Sequence, residues 1–170
     1  QKEDLKKRLA EFSNASKTGP AKLSLNVTDM NTLVILCAEA KAQDEKLKDA
    51  DYRGIVWFTG MDDKAQSLKA DIRWKMNNLP FTQRKDRFLV AHVTFKPGIE
   101  TSGLEAHIET VVVPGKTVSE GFIHQLQNWP WLNLVKLKPE FAELLKRVTS
   151  AQVMPDQTVV LEAKPAAPAK

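Results

Sequence analysis

The fold turns on Ser67-Leu68-Lys69-Ala70-Asp71-Ile72-Arg73-Trp74-Lys75-Met76. Leu68, Ala70, Ile72, Trp74 and Met76 fall at every second position, separated by Lys69, Asp71, Arg73 and Lys75. A helix would return apolar residues at intervals of three and four, whereas a strand sends alternate side chains to opposite faces. The period of two predicts a strand with one buried face and one solvated face.

The same period extends in both directions. Upstream, Ile55, Trp57 and Thr59 oppose Val56 and Phe58, so the segment from Tyr52 to Thr59 is apolar on both sides and is expected in the interior of a sheet. Gly60 to Lys64 supplies the turn. Downstream, Asn77 to Asp86 reads as a polar loop around Pro80, and Arg87 to Phe95 alternates again through Leu89, Ala91, Val93 and Phe95. Pro97-Gly98 is expected to close that strand. Leu104, Ala106, Ile108 and Thr110 mark the next one, up to Pro114-Gly115. Four strands joined by short loops favour an antiparallel meander, because parallel pairing needs long crossovers.

Helical spacing brackets this region. Leu5, Leu9 and Phe12 make a narrow apolar stripe expected to end near Ser13, with Ser13 to Pro20 as a connection. Lys22 to Val27 alternates like a half-buried strand. Thr28 and Asp29 are N-cap residues for a helix expected from Met30 to Leu47, where Val34 and Leu36 widen the stripe of Met30, Leu33, Cys37 and Ala40. Thr117-Val118-Ser119-Glu120 has the form of a capping box before a helix that Pro130 ends. Pro139 suits the first turn of another, with Phe141, Leu144, Leu145 and Val148 buried. Short strands at Ala151 to Met154 and Thr158 to Glu162 flank a Pro155-Asp156 turn. The expected architecture is an α+β fold: an antiparallel β-sheet, a meander of about four strands plus short additional ones, with amphipathic helices on one face. Residues 1–163 form a single domain in this reading, and 164–170 a disordered Pro/Ala/Lys tail.

Composition narrows function mainly by exclusion. The chain has 170 residues, of which 42% are hydrophobic and 27% charged, as in an ordinary globular domain. The net charge of +4 comes from 25 basic and 21 acidic residues mixed along the chain; local enrichment at Lys64 to Lys75 and at Arg84, Lys85 and Arg87 falls short of the clustered basic face nucleic acid requires. No segment approaches the length of a membrane-spanning helix. Cys37, the single cysteine, lies in an apolar run and cannot form an intrachain disulfide. Glycine-rich phosphate loops, paired cysteines and nucleophile elbows are missing, so no cofactor is implied. The start at Gln1 leans the reading toward an exported, secreted or periplasmic protein.

Two constellations remain as candidate sites. If Arg87 to Phe95 pairs with the strand from Leu104 through a loop at Pro97 to Ser102, His92 falls opposite His107, with Glu105 and Glu109 flanking it. Two imidazoles and a carboxylate there could share a metal ion and support an enzyme. The second is Trp129-Pro130-Trp131, where one indole could contact a partner or ligand. The leading expectation is a non-enzymatic binding or structural module that contacts a protein partner. The alternative is a carrier of an apolar small molecule held between sheet and helices, suggested by the two-sided apolar character of Tyr52 to Thr59.

Overall fold

The structure, a computed structural model, describes residues 1–42, 56–75, 88–128, 131–134 and 139–165. Its elements run α1 (Lys2–Thr18), β1 (Ala21–Asn26), α2 (Val27–Ala42), β2 (Val56–Asp62), β3 (Ser67–Lys75), β4 (Phe88–Glu100), β5 (Gly103–Val112), α3 (Glu120–Gln127), a 3-10 turn (Trp131–Leu134), α4 (Pro139–Arg147), β6 (Val148–Met154) and β7 (Thr158–Ala163). Among the described residues seven strands form two antiparallel sheets, of order β2-β3-β4-β5 and β1-β7-β6. The fold is α+β, and the larger sheet is the four-stranded meander that the period of two implies.

In β3, Leu68, Ala70, Ile72 and Trp74 are buried while Lys69, Asp71, Arg73 and Lys75 are exposed. Burying a side chain the size of Leu68 or Ile72 contributes about 1.5–3 kcal/mol, which is what fixes the inward face. β2 departs from expectation: it is an edge strand, not an interior one. Its two-sided apolar character has another cause, since Phe58 turns inward against Phe95 at 6.3 Å between ring centroids while Trp57 is 51% exposed on the outer face.

The edge of β2 is closed by a side chain. Asn31, buried in α2, donates from Nδ2 to the Phe58 carbonyl at 2.9 Å and accepts at Oδ1 from the Phe58 N–H at 2.7 Å. Gln66 does the same for β6, donating to the Val153 carbonyl at 2.9 Å and accepting from the Val153 N–H at 3.0 Å. Gln157 accepts from the Met61 N–H at 3.0 Å. Both glutamines sit at turn positions with positive φ, 52° for Gln66 and 60° for Gln157. Carboxamides thus satisfy backbone groups that a neighbouring strand would otherwise pair, and they tie the two sheets together.

Several boundaries differ from the sequence reading. α1 continues through the Ser/Asn/Thr stretch to Thr18, because Ser16 and Thr18 hydroxyls bond back to the carbonyls of Ser13 and Ala15 and so stay compatible with a helix. α2 begins earlier, capped by Asn26 rather than Thr28 or Asp29: Asn26 Oδ1 accepts from the Asp29 N–H at 2.8 Å, and Asp29 Oδ2 accepts from the Asn26 N–H at 3.2 Å. Asp29 also holds Arg8 of α1 at 2.6 Å, and this bond raises the Arg8 pKa. α3 is capped by Ser119, two residues after the expected Thr117. The expected tail of α2 beyond Ala42, the loop around Pro80 and the segment 166–170 lie outside the described residues.

The most consequential difference concerns β4. It runs through Pro97-Gly98 to Glu100, and only Thr101 and Ser102 separate it from β5. Pro97 is tolerated because β3 stops at the Leu68–Phe95 pair, leaving β4 with β5 on one side only. A bulge between Thr94 and Phe95 then shifts the register. It reverses the facing pattern, so Val111 is buried and Thr110, expected inward, is exposed.

A candidate apolar ligand cavity

The new register separates the proposed metal ligands. His92 pairs with Val112 and His107 with Lys96, five residues away along β5, or about 17 Å. Each imidazole has its own carboxylate: His92 Nδ1 lies 2.6 Å from Asp71 Oδ1, and His107 Nε2 lies 2.6 Å from Glu100 Oε1. Glu109 is exposed beside Lys96 at 3.5 Å, whereas Glu105 is buried. The constellation of His92, His107, Glu105 and Glu109 is therefore not assembled. Among the described residues no group of three or more His, Cys, Asp or Glu side chains stands close enough to hold a metal ion. The displaced register has a plain cause: the chain turns at Thr101-Ser102, later than the Pro97-Gly98 pair suggested.

What the fold does form is a partly open cavity of about 240 Å³, lined from the two sheets and the helices. Leu9 and Phe12 of α1 and Met30, Leu33, Val34, Cys37 and Ala38 of α2 form one wall. Phe58, Leu68, Trp74 and Phe95 of the larger sheet face them, with Leu23, Leu25, Val159 and Leu161 of the smaller sheet alongside. Trp131, Leu132, Leu144 and Leu145 add to the lining. Among the described lining residues Glu105 has the one acidic or basic side chain.

An aromatic cluster holds this wall. Trp74 and Trp131 meet edge to face, with centroids 5.1 Å apart and planes at 86°, and Phe95 stands 5.8 Å from Trp131. The Trp131 indole N–H donates to the Leu126 carbonyl at 2.9 Å, anchoring the 3-10 turn to the end of α3. Trp74 Nε1 is buried without a hydrogen-bond partner. Trp131, one of the two tryptophans singled out in the sequence, is thus buried against the cavity; Trp129 lies outside the described residues.

The wall is poorly suited to water, which needs two to four polar partners to remain in a cavity. It is also too large to be a packing defect: an apolar cavity of roughly 150 Å³ already binds benzene, so by proportion this one accommodates about ten carbon atoms. The sequence signal for it was the width of the α2 stripe. Leu33, Val34 and Cys37 are apolar and half-buried, and all three line the cavity.

No protein-family model matches the chain, no curated protein matches it, and no solved structure matches its fold.

Proposed function

We propose that the protein binds and carries an apolar small molecule, of about ten carbon atoms, in the cavity between the sheets and α1, α2 and α4. The observation that carries this reading is the lining itself: side chains from both sheets, three helices and the 3-10 turn converge on space that neither they nor water fill well. Transfer of about ten methylene-sized groups from water favours binding by roughly 8 kcal/mol before ordering costs, which corresponds to dissociation constants around 1 μM or weaker. Such affinity suits exchange between a source and an acceptor.

Titration with the fluorescent hydrocarbon probe N-phenylnaphthylamine tests the proposal. A saturable fluorescence gain is expected, reversed by decanol and abolished by Ala38→Phe, which adds bulk to the cavity wall. Trp57→Ser, on the outer face, should leave it unchanged. Absence of saturable binding, or equal loss in both variants, overturns the reading.

A second reading, a module that contacts a protein partner, draws support from a different surface. Trp57, Phe88, Val90 and Val112 are 51%, 49%, 54% and 57% exposed. They lie on the outer face of the larger sheet, among His92, Asp71 and Arg73. An exposed apolar patch rimmed by polar groups is the usual mark of an interaction surface. Loss of self-association or partner capture on Trp57→Ser with Val90→Ser, with probe binding retained, would favour it.

A further inference from the structure

We propose that the outer face of the larger sheet docks on an anionic lipid surface, with Trp57, Phe88, Val90 and Val112 entering the head-group layer and Arg73 and Lys75 meeting phosphate. This goes beyond the carrier reading and does not rest on it. It assigns to lipid the face that the second reading gives to a protein.

The first observation is the make-up of the face. Trp57, Asp71, His92 and Val112 are successive cross-strand partners, so they form one row across all four strands. Arg73 pairs with Val90 and Lys75 with Phe88 in the rows beyond. Each of the four apolar side chains is about half exposed, and each has a charged side chain or an imidazole as its cross-strand neighbour. Tryptophan with basic groups around it is the composition found where one side of a surface meets hydrocarbon and the other meets water.

The second observation is the sign of the charge. Asp71 is taken up by His92 at 2.6 Å, Lys69 by Asp62 at 3.4 Å, and Lys96 by Glu109 at 3.5 Å toward the hairpin end. Arg73 and Lys75 have no acidic partner among the described residues. The Arg73 guanidinium lies over the Phe88 ring, 4.6 Å from its centroid, which holds it at the level of the ring. A guanidinium held there can meet a phosphate through two parallel N–H bonds, and the Lys75 ammonium adds a point charge alongside. The uncompensated charge of the face is thus positive and complements anionic head groups.

The third observation is size. Lys69 to Lys75 spans about 20 Å along β3 and four strands are roughly 19 Å across, so the face covers roughly 400 Å². Each partner in a stable protein complex buries about 800 Å², twice as much. A second copy would also bring the same positive excess against this one. A lipid surface has neither difficulty, because it extends past the sheet on every side and carries the opposite charge.

Sedimentation with vesicles of equal parts phosphatidylcholine and phosphatidylglycerol, and with phosphatidylcholine alone, tests this. Binding to the anionic vesicles is expected, at least about tenfold weaker with phosphatidylcholine alone and likewise weakened by about 0.5 M salt. Arg73→Gln with Lys75→Gln should weaken it about tenfold or more, and Trp57→Ser with Val90→Ser by a similar factor. Lys7→Gln with Lys17→Gln, which removes the same charge from exposed positions of α1, should change it less than about threefold. No binding to anionic vesicles, or an equal loss in the α1 variant, overturns the proposal. So does a dimer that Trp57→Ser with Val90→Ser dissociates, which would give the face to a second copy. N-phenylnaphthylamine, titrated without vesicles, should bind all three variants as it binds the unaltered protein, which shows them folded. Probe binding without vesicle binding overturns this proposal alone, and vesicle binding without probe binding overturns the carrier reading alone.

Discussion

Asn31 takes the place of a β-strand for Phe58. Its carboxamide makes both hydrogen bonds that a neighbouring backbone would make, at 2.9 Å to the carbonyl and 2.7 Å from the N–H. Because Phe58 and the helix bearing Asn31 both wall the cavity, this pair sets the spacing between helix and sheet there. Asn31→Ala leaves two strand-edge backbone groups without those bonds and should cost about 2–6 kcal/mol in urea unfolding, at about 1–3 kcal/mol for each unsatisfied group. Asn31→Asp keeps an acceptor for the N–H but removes the donor, and is expected to be intermediate.

Trp131 joins the aromatic cluster to the end of α3. Trp131→Ala removes a buried ring and the bond to the Leu126 carbonyl, with an expected loss of about 3–5 kcal/mol. Trp131→Phe keeps most of the ring volume and should lose less than about 2 kcal/mol. Equal losses in the two variants would mean that ring packing contributes little.

Gly103 begins β5 with φ of +105°, and a Cβ there would stand 2.5 Å from the Leu145 carbonyl oxygen and 2.6 Å from Lys146 Cα. Both obstacles are backbone atoms of α4, which cannot swing aside as a side chain can. Gly103→Ala is expected to destabilise by about 2 kcal/mol or more, read as a lower thermal midpoint.

Asp62 gives a pH signature. The Ala65 N–H donates to its carboxylate at 3.1 Å and Lys69 lies 3.4 Å away, and these hold its pKa below the ordinary value of 3.8. The folded state thus binds the proton less readily than the unfolded state. The resulting stability is fully present above the ordinary value and is lost as pH falls through the lowered one. Asp62→Asn should show a shallower acid limb in stability against pH, with little change in slope near neutrality.

The meander was legible because β3 and β4 each bury one face and leave the other in water, so hydrophobic patterning alone records their direction and spacing. The hairpin register was not. A proline-glycine pair is a strong turn signal, but Pro97-Gly98 lies where β4 has one neighbour, and the physical reason to stop the strand is absent there. The bulge at Thr94 then changes which residues of β5 face inward, a shift that no local pattern announces. The candidate site was legible only in outline. The apolar stripe of Met30, Leu33 and Cys37, widened by Val34, is legible in the sequence, but its lining role depends on how two sheets and the helices pack around space. Glu105 looked like one more residue of a polar strand face, and its burial depends on the register that the sequence left hidden.

Nuclear Overhauser contacts between decanol and the methyl groups of the folded protein test the central claim most directly. The account predicts contacts from the decanol methylenes to Leu25, Leu68, Leu161 and the other methyls that wall the cavity. Contacts instead to Val90 and Val112 on the outer face of the larger sheet, or none at saturating decanol, would contradict it.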